Sequence, residues 1–275
     1  MSVNFDVVMD TDDYSVDMNS GLDTLKGASE ATRQIAETLL TEHVPKRLTT
    51  ESKVRTRLKK SFKGSYGQIF SLEIEDDELK KRFRKIGKAP FTELMSYFIN
   101  EALYQDCDEL SDKAKKTLNG LDERLQKELV EQLRKSSLDH LHTVSTNFNQ
   151  DVKLRYRENQ NNQTTIVKVD RESRGTLVPR TDKSKVEIIA SITRLNINTG
   201  NGRLLIQGQN ETVAFGFPSL YKDVKYAAKK KFSTNLDSNN ARPRDEWETL
   251  KLRAHTQKTN NGRIIKYLIE GFSDD

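Results

Sequence analysis

The stretch Ser191-Ile-Thr-Arg-Leu-Asn-Ile-Asn-Thr-Gly-Asn-Gly-Arg-Leu-Leu-Ile206 decides how the C-terminal third of the chain is read. Two apolar, strand-like runs flank an Asn/Gly-rich connection, and a third, Thr212-Val-Ala-Phe-Gly-Phe217, follows the polar Gln207-Gly-Gln-Asn-Glu211. Three such runs joined by turn formers predict a β-meander. A helical segment from Pro218 to Lys231 comes next, then two more strands around Asn260-Asn-Gly262, where Asn-Gly signals a type I′ turn. Five strands with one helix between the third and fourth predict a small closed barrel over residues 185–273.

The last hairpin shows which face is inside. Leu250, Leu252 and Ala254 alternate with Lys251, Arg253 and His255, and Ile265, Tyr267 and Ile269 alternate with Ile264, Lys266 and Leu268. Pairing the two apolar rows gives a barrel interior and leaves Lys251, Arg253, His255 and Lys266 on a basic exterior.

Ile192-Thr-Arg-Leu-Asn196, Gly200-Asn-Gly202 and Val213-Ala-Phe215 together resemble the opening of a cold-shock or related OB-fold domain. In that family a strand ending in Asn leads to a Gly-x-Gly turn, and Asn196, Gly200, Gly202 and Phe215 fall at matching places. The resemblance implies a five-stranded OB-like barrel and contact with nucleic acid. The chain departs from the family where aromatic rings would stack on bases, carrying Arg194, Asn201 and Arg203 instead. A guanidinium stacks on a base and also meets a phosphate, which keeps binding open.

Charge is unevenly spread. The net +5 divides into 20 Lys/Arg against 13 Asp/Glu from 161 to 275, and 26 against 28 before that. The basic excess therefore belongs to the C-terminal half and points to a polyanionic partner. With 34% hydrophobic and 32% charged residues the chain is polar, yet its apolar residues recur periodically, which argues for folded domains. A lone Cys107 excludes an intramolecular disulfide and a cysteine zinc cluster. No apolar run approaches the ~20 residues of a membrane span, and Met1-Ser-Val-Asn-Phe-Asp6 lacks a signal peptide's regions, so a cytoplasmic protein without a membrane partner is expected.

Upstream, Val3, Phe5, Val7 and Met9 alternate as a strand, and Leu22, Leu25, Ile35, Leu39 and Leu40 mark a helix over 19–43. A hairpin over Thr50–Phe62 and Tyr66–Asp76 turns at Lys63-Gly-Ser65; its register pairs Val54 with Ile74, Thr56 with Leu72 and Leu58 with Phe70. The opposite face then sets Lys53 against Glu75 and Arg55 against Glu73. A short helix containing Leu79, Phe83 and Ile86 stops at Gly87, and an apolar helix opens at Pro90. After Ser111, Ala114, Leu118, Leu121, Leu125, Leu129, Leu133 and Leu141 form a stripe on one long charged helix, which fits either packing within the chain or a homo-oligomer contact through 111–143. The expected class is α+β: an N-terminal module over 1–146 with a small sheet covered by helices, a polar linker over 147–184 with one candidate strand (Thr164–Val169), and the barrel over 185–273. The N-terminal layout also resembles uncharacterised bacterial α/β proteins, which implies no activity.

Val7-Val-Met-Asp-Thr-Asp-Asp13, a strand ending in Asp-x-Asp, resembles the opening of haloacid dehalogenase-like phosphatases, which would make Asp10 and Asp12 magnesium-dependent catalysts. The segment up to Asp76 is too short for that family's doubly wound core, so a solvated acidic loop is the simpler reading. The Lys53, Arg55, Arg57, Lys59 row either tracks a phosphate backbone or forms a cross-strand ion-pair ladder. Cations at 80–88 follow acids at 75–78, which complements a helix dipole without a ligand. His140 and His142 diverge on a helix, and no motif for a cofactor, metal or nucleophile is present. Trp247 reads as a barrel-closing core residue.

These features lead to an expected non-enzymatic protein without cofactor, whose barrel contacts nucleic acid through Arg194, Arg203, Lys251, Arg253, Lys266, Lys229 and Lys230 with little sequence discrimination. A second reading is a protein-interaction subunit of a bacterial multi-protein system, such as antiviral defence. A third is the phosphohydrolase at Asp10 and Asp12.

Overall fold

The computed structural model describes residues 1–49, 51–62 and 65–273. The expected strand start at Thr50 and the hairpin positions Lys63 and Gly64 lie outside them. The chain divides into two compact units, Met1–Leu177 and Val178–Asp275.

The first unit is built on β1 (Ser2–Met9), α1 (Met18–Thr41), β2 (Val54–Phe62), β3 (Tyr66–Ile74), α2 (Asp77–Ile86) and α3 (Lys88–Leu103). It continues through α4 (Asp112–Asn119), α5 (Glu123–Gln132), a π-helical turn (Leu133–Ser137), α6 (Leu138–Leu141), α7 (Thr143–Phe148), β4 (Val152–Arg157), β5 (Gln163–Val169) and α8 (Arg171–Arg174). Its five strands run in the order β2-β3-β1-β4-β5, every neighbour antiparallel. Period-two alternation decides the faces: Val3, Phe5, Val7 and Met9 are fully buried in one core with α1 and α3 side chains, while Ser2 and Asn4 point away and stay exposed. The β2–β3 register is the one expected, with Val54 opposite Ile74, Thr56 opposite Leu72 and Leu58 opposite Phe70. A parallel, doubly wound sheet of the phosphatase type is absent from this unit.

Two readings of this half are corrected. The 111–143 segment is not one helix: Ser111 caps α4, the helix ends at Gly120, Asp122 caps α5, and a π-turn follows. Its stripe residues Ala114, Leu118, Leu121, Leu129, Leu133 and Leu141 are buried in this unit's own core, so the stripe is not an exposed contact face. The polar 147–184 stretch holds β4 as well as β5, and β4 is hydrogen-bonded along the central strand β1.

The second unit comprises β6 (Arg180–Leu195), β7 (Gly202–Ile206), β8 (Thr212–Gly216), α9 (Tyr226–Asn239), β9 (Leu250–Lys258) and β10 (Ile264–Phe272). The strands close a barrel in the order β10-β8-β7-β6-β9, with β10 parallel to β8 and the other pairs antiparallel. Helix α9 lies between the third and fourth strands, the arrangement expected of an OB-like barrel. Leu252, Ala254, Tyr267 and Ile269 are buried inside, as the alternation required. Phe232 of α9 joins this core, stacking on Phe215 at 5.4 Å. Register slips between Ile192 and Arg194, and there the Ile192 N–H donates to Asn235 Oδ1 of α9 at 2.8 Å, so the helix satisfies a backbone group beside the bulge.

The closing hairpin does not use a type I′ turn. Of Asn260, Asn261 and Gly262 only Gly262 has positive φ (+87°), and its N–H donates to Thr259 O at 3.0 Å. That is a type I turn with glycine in the following left-handed position, the usual three-residue hairpin. Trp247 is half-buried beside Arg244 and donates to Arg242 O at 3.0 Å, outside the barrel core.

Candidate nucleic-acid interface

The loop from Asn196 to Asn201 joins β6 to β7 and is fixed by its own polar groups. Asn196 Oδ1 accepts from the N–H of Asn198 at 2.9 Å and of Thr199 at 3.3 Å, and Gly200 N–H donates to Asn196 O at 2.8 Å. Gly200 has φ +68°, and a Cβ there would stand 2.7 Å from Tyr221 Cγ, so the Tyr221 ring closes directly over the loop. Gly202 is equally restricted: its missing side chain leaves room for Phe215 Cε1, 2.6 Å from where a Cβ would sit. The Gly-Asn-Gly pattern is thus set by contact with the aromatic rings of the third strand and the turn after it.

Strand register then decides which cations meet. Arg194 lies opposite Arg203, Arg203 opposite Ala214, and Ala214 opposite Lys266. These residues form one row across four strands on the barrel exterior, with only the small Ala214 between Arg203 and Lys266. Lys266 Nζ donates to Asn201 Oδ1 at 2.9 Å, and both groups lie over Gly216. Arg203 is 7% exposed; its Nε donates to Thr212 Oγ1 at 2.7 Å and a terminal nitrogen to Thr212 O at 2.6 Å. Its guanidinium is therefore a largely buried strut between β7 and β8.

On α9 three consecutive lysines point about 100° apart. Lys229 Nζ lies 4.8 Å from the centre of the Tyr221 ring and donates to Lys222 O at 3.2 Å, which joins it through Tyr221 to the 196–201 loop. Lys231 lies over Phe272 at 4.4 Å, and Lys230 is exposed. Burial raises the Tyr221 hydroxyl above its usual range.

Lys251 and Arg253 stand apart from this row. Both are exposed on β9, where they face Ile189 and Glu187 of β6, and Arg253 donates to Phe272 O at 3.1 Å. On β10 the residue opposite Arg253 is Gly271, five positions beyond Lys266, a span of about 17 Å. Of the seven expected residues, four gather at the 196–201 loop (Arg194, Arg203, Lys266, Lys229), two form a separate pair on β9, and Lys230 is exposed on α9 apart from both. Thr212 and Tyr221, which help to hold the first group in place, carry no charge and follow no motif, and Asn201 entered only as a departure from the OB-like pattern.

Most aromatic rings near the loop pack on one another: Phe217 meets Phe232 at 5.3 Å and Tyr221 at 5.4 Å, and Phe232 meets Phe272 at 5.6 Å, while Tyr226 of α9 is exposed.

No protein-family model matches the sequence, and neither a curated protein nor a solved structure is similar to it.

The acidic loop after β1 has ordinary partners. Asp10 Oδ1 accepts from Ser65 Oγ at 3.1 Å, and Lys153 Nζ lies 3.9 Å from its other oxygen. Asp13 accepts from Ser15 through both the hydroxyl and the backbone, which lowers its carboxyl below the usual range. Among the described residues no three His, Cys, Asp or Glu groups converge as metal ligands, and no helix is long and apolar enough to cross a membrane.

On the first unit, the Lys53–Lys59 row is largely an ion-pair ladder: Arg57 meets Glu73 at 2.6 Å and Glu75 at 3.3 Å, Arg55 meets Glu75 at 3.8 Å, and Lys59 meets Glu73 at 3.4 Å. Paired charges of this kind fit an exposed two-stranded edge without a ligand.

Proposed function

We propose that the chain is a non-enzymatic nucleic-acid-binding protein whose barrel meets the phosphate backbone with little sequence discrimination. The observation that carries this reading is the single register row of Arg194, Arg203 and Lys266 beside the glycine-fixed 196–201 loop. In OB-like barrels the face of the second and third strands and the loop after the first strand are where oligonucleotides lie. Lys229 extends the row from the helix, and Lys251 and Arg253 offer a second point of contact for a longer strand.

Contacts of this kind are made to phosphates, so affinity must fall with salt. Three phosphate contacts on a single strand predict a log–log slope of about −2. The test is fluorescence anisotropy of labelled single- and double-stranded DNA and RNA with the full chain, titrated across salt. Arg194→Glu and Lys266→Glu are expected to weaken binding and flatten the slope. Equal affinity of both variants and the parent would remove this surface from the proposal, and absence of binding at low salt would shift the reading to a protein partner.

A further inference from the structure

Among the described residues of the first unit, helices pack on one face of the sheet, and the opposite face holds a groove that the barrel reading does not use. Even-numbered residues of β1 lie on that face, opposite the buried row of Val3, Phe5, Val7 and Met9, and Asn4 among them lines the groove. The groove has a volume of about 750 Å³ and is lined by Lys59, Lys60, Phe62, Ile69, Asn4 and Arg157, with the 159–161 turn at its rim. By register it crosses β2, β3, β1 and β4, three inter-strand spacings or about 14 Å. Its volume falls within the ~300–1,000 Å³ of ligand sites.

Its chemistry is one-sided. Three cations line it and no carboxylate does. The two acids that pair with these cations are already engaged: Glu73 takes Lys59 and Arg57, and the fully buried Asp6 holds Arg155 and Arg157 together, one negative charge against two positive. Lys60 is exposed and has no ion pair among the described residues. Phe62 lies across Gly67 on the next strand, where a Cβ would come 2.7 Å from Phe62 Cε1, and the guanidiniums of Arg155 and Arg157 sit 5.9 and 5.4 Å from its ring centre. The ring is therefore held between the Gly67 backbone and the two guanidiniums over it. Beside it, Ile69 supplies an apolar floor, and Asn4 with the amides of the 159–161 turn supplies hydrogen-bond donors and acceptors. Asn159 Oδ1 orders that turn by accepting from the N–H of Asn161 and Asn162, both at 2.9 Å.

We propose that this groove is a second nucleic-acid site, for an unpaired strand: phosphates against Lys59, Lys60 and Arg157, a base on Phe62 and Ile69, and base edges at the amides. A fixed ring among cations is the combination that binds single strands with tolerance of sequence, because every base has a face to stack and every nucleotide a phosphate. An acidic peptide would use the cations and leave the ring and the amides idle. A duplex would hide its bases from Phe62.

The test uses the full chain, a labelled twelve-residue oligothymidylate or oligouridylate, and two variants, Lys60→Glu and Phe62→Leu, the second keeping an apolar cover over Gly67. Each variant is expected to retain the parent melting temperature and to weaken binding, by on the order of tenfold for loss of the stacking ring and with a salt slope smaller by about 1 for the lysine. Ultraviolet cross-linking with peptide mapping is expected to place the strand on peptides covering 59–70 and 155–162. Unchanged affinity in both variants overturns the proposal, as does cross-linking confined to barrel peptides, which would leave the barrel reading standing. Cross-linking to the sheet peptides alone would support this site and count against the barrel. A polyglutamate peptide that binds as tightly and is indifferent to Phe62→Leu would also overturn it, in favour of an acidic protein partner.

Discussion

Asp6, on the central strand, is fully buried and accepts a two-point fork from Arg155, with Nε at 2.7 Å and a terminal nitrogen at 3.1 Å. Arg157 adds a third bond to its second oxygen at 2.5 Å. Asp6 lies 149 and 151 positions from the two arginines in sequence and becomes their neighbour only because β4 lies beside β1. Removing the carboxylate leaves two guanidiniums against each other without a counter-charge. Asp6→Ala is expected to cost about 3 kcal/mol, the low end for breaking a buried pair because both arginines keep some contact with water. Urea denaturation checks this, as a lower midpoint at unchanged slope.

Gly27 of α1 marks the closest approach between that helix and the 137–141 segment. A Cβ at position 27 would stand 2.6 Å from Ser137 O and 2.7 Å from His140 C, and would also strike Leu141 N. These are backbone atoms, so no side chain can rotate away. Gly27→Ala, which in an exposed helix would stabilise, is expected here to destabilise by about 1–3 kcal/mol or more. A melting temperature at or above that of the parent would show that the two segments can slide apart.

Much of this architecture was legible in the sequence. The β2–β3 register followed from alternation reinforced by opposite charges, since a slip of one residue would have set Val54 and Leu72 on the wrong face. The barrel interior followed in the same way from Leu252, Ala254, Tyr267 and Ile269. What stayed hidden was non-local or masked by polarity. Val152, Leu154 and Tyr156 alternate with Lys153, Arg155 and Arg157, a legitimate strand pattern, but the surrounding polar residues made it read as linker. With β4 unseen, the Asp6 clamp and the groove around Phe62 had no basis. The helical stripe after Ser111 persisted through Gly120 and the π-turn because side-chain spacing records which face is buried and not whether the backbone is continuous. On the barrel, charge alone grouped seven cations, of which strand register sets Lys251 and Arg253 apart from Arg194, Arg203 and Lys266.

Arg203 allows stability and binding to be separated. Its guanidinium ties β7 to the Thr212 hydroxyl and carbonyl, whereas Arg194 beside it is half-exposed. Arg203→Ala is expected to lower barrel stability by about 1–3 kcal/mol through the hydrogen bonds lost and the carbonyl left behind. Arg203→Lys keeps the charge but not the fork, and should recover little of that stability. Arg194→Ala is expected to cost less stability than Arg203→Ala, since its side chain is more exposed, and to reduce oligonucleotide affinity. Thermal melts of the three variants beside anisotropy titrations would check the division, and a stability loss at Arg194 equal to that at Arg203 would contradict it.

His142 gives the first unit an acid-sensitive point. The ring has no exposed surface; Nδ1 lies 2.6 Å from Leu138 O and Nε2 2.9 Å from Ser173 Oγ. Burial drives its pKa from 6.5 down to about 4, assisted by the nearby Arg174 and opposed by the Leu138 carbonyl and by Asp170 and Asp139. The folded chain thus keeps the ring neutral while the unfolded chain protonates it once pH falls below about 6.5. Between about 6.5 and about 4 the unfolded state binds the extra proton, so stability is full above this window and declines as pH drops through it. The whole shift corresponds to about 3 kcal/mol. His142→Gln removes the titration, and although it lowers stability at neutral pH, its denaturation midpoint should fall less steeply between pH 6.5 and 4 than that of the parent. Parallel curves for the two proteins would mean that His142 takes up its proton in the folded chain as it does in the unfolded one, and that other groups carry the acid sensitivity.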